Sequence, residues 1–295
     1  MELFRNPQTR SLLWILGLLS LVAFASISGS KNREIASTCS QLRASVENVF
    51  TASLEQSVIA DAAYVYDFSA RQKLYGRNQD VPLPLASLTK LMTIRVAAMQ
   101  SGDVRTLYTI TDTDLQPEGS IGMTAGDQYT IESLITAALV KSSNDAAAAL
   151  SHSVGMNDQE FFAAMHAEAA SLGLSTLSFA TATGLDATGG VAQAFGSARD
   201  VTVLMEQNVR DFPSLMANSA LPLSVIRSFS GTGISLATTN EAIGKLPLLK
   251  GGKTGYTLSA GGNLSVLWQS ERGLIGATVL GSSYQGRFSD MIQIA

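Results

Sequence analysis

Strand-like segments stand at both ends of this chain while the long middle is helical, and that order leaves few compact solutions. Near one end Ala63-Tyr64-Val65-Tyr66-Asp67-Phe68 reads as a strand, with Lys73-Leu74-Tyr75 as its hairpin partner across a polar turn. Near the other end, Asn263 to Gln269 and Leu274 to Leu280 read as two apolar strands joined at Glu271-Arg272-Gly273. Between them the apolar residues recur at helical spacing. One helix runs from Ser87 through Leu91, Met92, Ile94 and Ala98 until Gly102 stops it. A second begins after a Thr130 cap, with Ile131, Leu134, Ile135, Ala138 and Leu139 forming one buried stripe. Asn157 followed by Glu160 makes a capping-box start for a helix ending near Gly173, and Ser197 with Asp200 repeats the pattern. Each strand pair must bury an apolar face, so the two pairs are expected to join in one sheet with a helical lobe inserted between them, an α/β (α+β) fold. Such a sheet brings sequence-distant motifs together.

Several function classes are excluded early. The 20 basic and 24 acidic residues give a formal charge of −4, and no lysine or arginine run exists to bind nucleic acid. The single cysteine, Cys39, permits no internal disulfide and reads as a solitary core thiol. Two histidines, His152 and His166, leave little material for a zinc centre or a Ser-His-Asp triad. Any chemistry here must use other bases.

The N-terminus indicates export. Arg5 and Arg10 precede an apolar run from Leu12 to Ala25, and Ala23-Phe24-Ala25 offers small residues for cleavage, so residues 1–25 read as a secretory signal. The apolar character persists weakly to Ser28, which makes an uncleaved anchor in the cytoplasmic membrane the alternative. Residues 26–60 read as a spacer, with Ile35, Cys39, Leu42, Val46, Phe50 and Leu54 marking an amphipathic helix, and residues 61–295 as the functional domain.

Three short motifs carry the chemistry. Ser87-Leu88-Thr89-Lys90 places a hydroxyl and an amine on one helix face, where the amine can take the hydroxyl proton if burial or a nearby positive charge keeps it neutral. Taken alone, the same four residues suit a capping serine and a surface lysine. Lys141-Ser142-Ser143-Asn144-Asp145 interrupts two helical segments; Ser142 can relay a proton and Asn144 can donate to a carbonyl, while Asn144 or Asp145 also suits the cap of the alanine-rich helix that follows. Gly251-Gly252-Lys253-Thr254-Gly255-Tyr256-Thr257 supplies glycines for close backbone approach and, in Lys253, a second positive charge for the first motif. A phosphate-binding P-loop ending at Gly252-Lys253-Thr254 fails on spacing, because its first glycine would fall at Pro247.

In the order S-x-x-K, S-x-N, K-T-G, the three motifs are far more specific than any one of them. With the surrounding Pro84 to Thr93, Ser142 to Ala146, Ala180 to Asp186 and Lys253 to Thr257, the chain resembles the D-alanyl-D-alanine carboxypeptidases, the low-molecular-weight penicillin-binding proteins. The resemblance implies a five-stranded, mainly antiparallel sheet flanked by helices, with a helical lobe whose interface with the sheet forms the cleft. It implies Ser87 as nucleophile, Lys90 as general base and Ser142 as proton relay to the leaving amine. By the same likeness, Asn144 holds the substrate backbone, the N–H groups of Ser87 and Tyr256 form an oxyanion hole, and Lys253, Thr254, Gly255, Tyr256 and Thr257 line the substrate. Arg287 matches the family's basic residue beyond the last strand and shares the substrate carboxylate with Lys253 and Thr254. The implied substrates are peptidoglycan stem peptides ending in D-Ala-D-Ala, and β-lactams are implied as covalent inhibitors. The resemblance also implies that no metal and no organic cofactor is needed.

The class A β-lactamases look similar but carry a deacylating glutamate, and Glu160, Glu168, Glu206 and Glu241 all lack its context. A cross-link endopeptidase is the nearer alternative, and a catalytically idle wall-binding or β-lactam-sensing module the alternative from another class. Many relatives of this kind continue into a second domain and an amphipathic helix, whereas here the sequence stops at Ala295, so that either a closing helix expected from near Ser289 is cut short or the sequence is a fragment.

Overall fold

A computed structural model describes residues 37–38, 41, 52–271 and 273–295. The proposed signal or anchor, most of the spacer helix, and Cys39 lie outside the described residues. The chain divides into two units, Met1–Ser57 and Val58–Ala295. In the first, the described residues 37–38, 41 and 52–57 are helical.

The second unit is built on five strands: β1 (Ala62–Asp67), β2 (Gln72–Arg77), β3 (Leu248–Thr257), β4 (Gly261–Ser270) and β5 (Gly273–Ser282). They form one sheet in the order β3-β4-β5-β1-β2, every neighbouring pair antiparallel. The expected junction of the two chain ends is the β1–β5 pair, which runs in register from Ala62 opposite Leu280 to Asp67 opposite Ile275. β4 and β5 are buried along most of their length, as their continuous apolar runs require of strands covered on both faces. Their few polar side chains are matched inside: the hydroxyls of Thr202, Thr278 and Ser265 follow one another at 2.8 and 2.9 Å.

Six helices matter for the site: α1 (Lys90–Gln100), α2 (Ile131–Val140), α3 (Asn144–His152), α4 (Asp158–Ser171), α5 (Ala198–Asp211) and α6 (Gly286–Ile294). α1 is buried from Lys90 to Ala98, so it is the axis of the unit rather than a surface helix. Arg95, in that helix, ion-pairs with Glu168 of α4 at 2.7 Å and with Asp211 at the end of α5 at 2.8 Å, joining three helices. α5 packs on β1, β4 and β5, and α6 packs on β4 and β5. Asp290 of α6 accepts from the N–H groups of Ile59 and Ala60 and from Ser282 Oγ, which fixes α6 to the start of β1 and the end of β5.

Three boundaries differ from the sequence reading. Leu248–Thr257, which carries the third motif, is itself a full edge strand, masked in the sequence by Gly251, Gly252 and Gly255. The helical middle holds short strands as well, including a hairpin of Leu223–Arg227 with Gly233–Ala237. The closing helix starts at Gly286, ahead of Ser289. The caps of α2, α4 and α5, in contrast, stand where expected. Thr130 accepts from Ser133 N–H, and Asn157 and Glu160 form a reciprocal box. Ser197 caps α5, but Asp200 turns away from it to accept from Thr176 N–H and Oγ1.

The Thr130 cap gives a direct stability test. Thr130→Ala is expected to lower the unfolding free energy by about 1 kcal/mol, seen as a lower urea midpoint with an unchanged m value. No change in midpoint would show that α2 does not need the cap.

Candidate active site

Ser87 lies in a one-turn 3-10 helix, Ala86–Thr89, that leads straight into α1. The hydroxyl and the amine therefore fall on one side of the turn, and Lys90 Nζ lies 2.8 Å from Ser87 Oγ. Lys90 is wholly buried, and its Nζ also donates to Asn144 Oδ1 and to the carbonyl oxygen of Thr183, each at 2.7 Å. Burial penalises the charged amine and brings its pKa down to about 7. Of the two causes the sequence allows, burial or a nearby positive charge, burial is the one that lowers Lys90.

α2 and α3 are separated by a tight corner in which Ser142 adopts a left-handed backbone, φ +60°. Ser143 caps α3, accepting from Ala146 N–H at 3.1 Å, so neither Asn144 nor Asp145 is the cap. With the cap one residue earlier, Asn144 falls in the first turn and faces Lys90. Its Oδ1 accepts from Lys90 and its Nδ2 donates to Glu118 O, which leaves one amide N–H for a substrate.

β3 brings the third motif alongside. Lys253, 1% exposed, places Nζ 2.8 Å from Ser142 Oγ and 2.8 Å from Thr254 O. Burial first, then the positive charges of Lys90 and Arg287, hold its pKa well below the ordinary lysine range. Thr254 Oγ1 pairs with Thr239 Oγ1. At Gly255 the strand touches the turn that carries Ser87: an added Cβ would sit 2.9 Å from Leu85 O and 3.2 Å from Ser87 N. Gly252 N–H points off the open edge to Ser219 Oγ, and the two-residue period of the strand puts the Tyr256 N–H on that same edge.

Two expected site residues are placed differently. Arg287 is 3% exposed, donates from Nη1 to Gly255 O at 2.6 Å, and lies under the rings of Tyr284, Phe288 and Tyr256. It supports β3 from within and is not a helix-start side chain open to the cleft. Thr257 donates its hydroxyl to Asp186, so that group is already engaged. The sequence analysis gave no role to the Thr183 carbonyl that receives Lys90, nor to Asn263, which donates to Pro84 O and accepts from Gly281 N–H. A main-chain acceptor leaves no signal in a sequence; an asparagine within an apolar strand does.

The assembly has a definite chemical capability. A hydroxyl faces a buried amine whose pKa is brought to about 7, a second hydroxyl faces a second buried amine that also loses its proton readily, and Arg287 keeps a positive charge behind Gly255. Because both lysines hold fewer protons folded than unfolded, stability should rise with pH from about 7 toward the ordinary lysine value near 10.4. Lys90→Met is expected to remove about 1.4 kcal/mol per pH unit of that rise, measured by urea unfolding between pH 7 and 9. An identical slope in the variant would refute the low pKa.

The family model described as D-alanyl-D-alanine carboxypeptidase matches residues 48–283. The D-alanyl-D-alanine carboxypeptidase DacB2 of Mycobacterium tuberculosis is 32% identical over 197 residues, 66% of each chain. A D-alanyl-D-alanine endopeptidase of Pseudomonas aeruginosa is 29% identical over 213 residues, 70% of this chain and 66% of its own. Among solved structures, penicillin-binding protein D2 of Listeria monocytogenes, in an ampicillin-bound form, superposes with a TM-score of 0.69 at 26% identity, covering 80% of this chain and 95% of the other. The chain spans from about half to two thirds of the length of the first curated relatives it matches.

Proposed function

The chain belongs to the D-alanyl-D-alanine carboxypeptidase family, and from that premise we propose that it is a serine hydrolase releasing the terminal D-alanine from peptidoglycan stem peptides. The observation that carries the reading is the 2.8 Å approach of Ser87 Oγ to a fully buried Lys90 whose pKa is lowered to about 7. In this reading neutral Lys90 takes the Ser87 proton as Oγ attacks the carbonyl carbon of the penultimate D-alanine. The oxyanion forms beside the N–H groups of Ser87 and Tyr256, donors worth about 3–4 kcal/mol each in serine hydrolases. The peptide C–N bond breaks, and the proton passes from Lys90 through Ser142 to the leaving amine, with Lys253 holding Ser142 in place. Water then attacks the ester, gives a proton to Lys90, and Ser87 recovers its hydroxyl.

The terminal carboxylate of the substrate gives the positive site its purpose. Lys253 and Thr254 face it, and Arg287 adds charge from behind Gly255 instead of touching it directly. β-Lactams, whose strained amide resembles the same bond, acylate Ser87. Turnover of the drug is disfavoured, since Glu160 serves a helix cap, Glu168 pairs with Arg95 and Glu206 pairs with Arg210. Because peptidoglycan lies outside the cytoplasm, the basic and apolar residues 5–25 are assigned to export. Among the described residues no helix is long and apolar enough to cross a membrane.

Intact mass after incubation with benzylpenicillin tests the reading. A single persistent adduct is expected, absent in Ser87→Ala, together with D-alanine release from a pentapeptide. Acylation should slow as the pH falls through about 7 and Lys90 becomes protonated, and Lys90→Ala should keep the fold but lose acylation. Rapid drug turnover without a lasting adduct would indicate a β-lactamase, and neither adduct nor turnover from folded protein would indicate an idle module.

A further inference from the structure

One segment touches three separate parts of the site within four residues. Thr183 gives its carbonyl oxygen to Lys90 Nζ at 2.7 Å. Gly184, at φ +78°, lies so close to the turn before the nucleophile that a Cβ would fall 1.9 Å from Ala86 O, with Thr89 Oγ1 2.7 Å away. Asp186 then reaches the end of β3. Its Oδ1 accepts from Thr257 Oγ1 at 3.1 Å and from Ser259 Oγ at 2.6 Å, and its Oδ2 lies 3.4 Å from the Ser259 N–H. Thr257 Oγ1 in turn accepts from Ala260 N–H at 3.2 Å, so the whole turn after β3 winds around this carboxylate.

The need for such a tie follows from the topology. β3 is an edge strand, held through its ladder by β4 alone. Its pairing finishes at Thr257 opposite Gly261, next to a turn in which Leu258 is 91% exposed. Tyr256, whose N–H completes the oxyanion pair in the mechanism above, is one residue from that loose end. A shift of about an ångström there would misplace one donor relative to Ser87, and displacements of that size cost up to about a hundredfold in rate.

Resting on the serine-hydrolase reading above, we propose that Asp186 is a positioning residue for acylation: it holds the end of β3, and with it the Tyr256 N–H, at a fixed distance from Ser87. The other end of the same short segment grips Ala86 and Lys90, so one piece of chain sets the spacing between nucleophile, base and oxyanion donor. Three donors converge on the Asp186 carboxylate, which a carboxylate can accept in full and an amide only in part.

The test compares Asp186→Ala and Asp186→Asn with the unaltered chain. Benzylpenicillin acylation is followed by rapid quench and intact mass, and amide exchange is followed over residues 250–262. Asp186→Ala is expected to acylate to full stoichiometry but at least about tenfold more slowly, with faster exchange from Tyr256 to Ala260. Its acylation should fall across the same pH range as in the parent, because the contacts of Lys90 are untouched. Asp186→Asn, which keeps one acceptor oxygen for the two hydroxyls, should recover most of the rate. An unchanged rate constant in Asp186→Ala overturns the proposal. So does a loss that appears only as a smaller active fraction, which is what a merely structural role would produce, or a displaced pH range, which would place the effect at Lys90. If the unaltered chain forms no adduct at Ser87, the hydrolase reading falls and this role falls with it; an adduct in the parent with no slowing in the variant removes this role alone.

Discussion

The pairing of β1 with β5 is the constraint on which the rest of the unit depends. Six residues from near Val58 lie in register with six from near the C-terminus, so everything between them must leave the sheet and return. The return path ends in β3, β4 and β5, and β3 becomes the free edge because β5 already has β1 on its other side. The first helix to leave, α1, is buried through the middle of the unit and begins at the nucleophile's turn. Edge strand and helix start therefore meet, with Gly255 against Leu85 and Ser87. The sheet order thus brings the edge strand to the Ser87 turn, and the Thr183–Asp186 segment and the Ser142 corner complete the site around it.

Burial does the electrostatic work at that meeting point. Three cationic side chains, Lys90, Lys253 and Arg287, are each no more than 3% exposed and lie close enough to influence one another. Such a group is costly to keep charged, and the two lysines relieve the cost by losing protons while arginine cannot. Arg287 stays charged, donating from Nη1 to Gly255 O and lying against the faces of Tyr284 and Phe288, while its buried Nε has no hydrogen-bond partner among the described residues. The same physics that penalises the charged lysines brings Lys90 to about 7 and leaves Arg287 as the group there that keeps its charge. Lys90 and Lys253 each face a serine hydroxyl, Ser87 and Ser142 respectively.

Much of this was legible in the sequence where side-chain chemistry or periodicity decides the outcome. The end-to-end sheet, the α2 stripe, the Thr130 and Asn157 caps, and the Ser87–Lys90 pair all follow from residue type and spacing. Other features were hidden for physical reasons. β3 was not legible as a strand because its glycines, of which Gly255 lies against Ser87 and Gly251 against Val209 and Met205, are poor strand formers. The α3 cap was misplaced by a residue because Ser142 takes a left-handed conformation that serine seldom adopts. Arg287 looks like a surface helix-start residue in one dimension, and only the sheet beneath it and the aromatic rings around it make it a buried support. Lys90 is held by Thr183 through a main-chain carbonyl, for which no residue type is diagnostic.

Backbone strain at the site points to how rigid the arrangement must be. Ala86 and Ser142, the one beside the nucleophile and the other the second hydroxyl, both hold positive φ, at +47° and +60°, a conformation that costs side-chain-bearing residues of order 1–3 kcal/mol. Neither would persist without surroundings that leave no alternative. Ala86 is enclosed by Gly184 on one side and Gly255 on the other, and the corner at Ser142 is fixed by Ser143, which caps α3 through its side chain and donates its N–H to Ala137 O. Relaxing either residue would rotate a hydroxyl away from its lysine. The two strained positions therefore sit where the fold most needs to hold a side chain against its own preference, and the contacts that enforce the strain are the same ones that set the distances between the reacting groups.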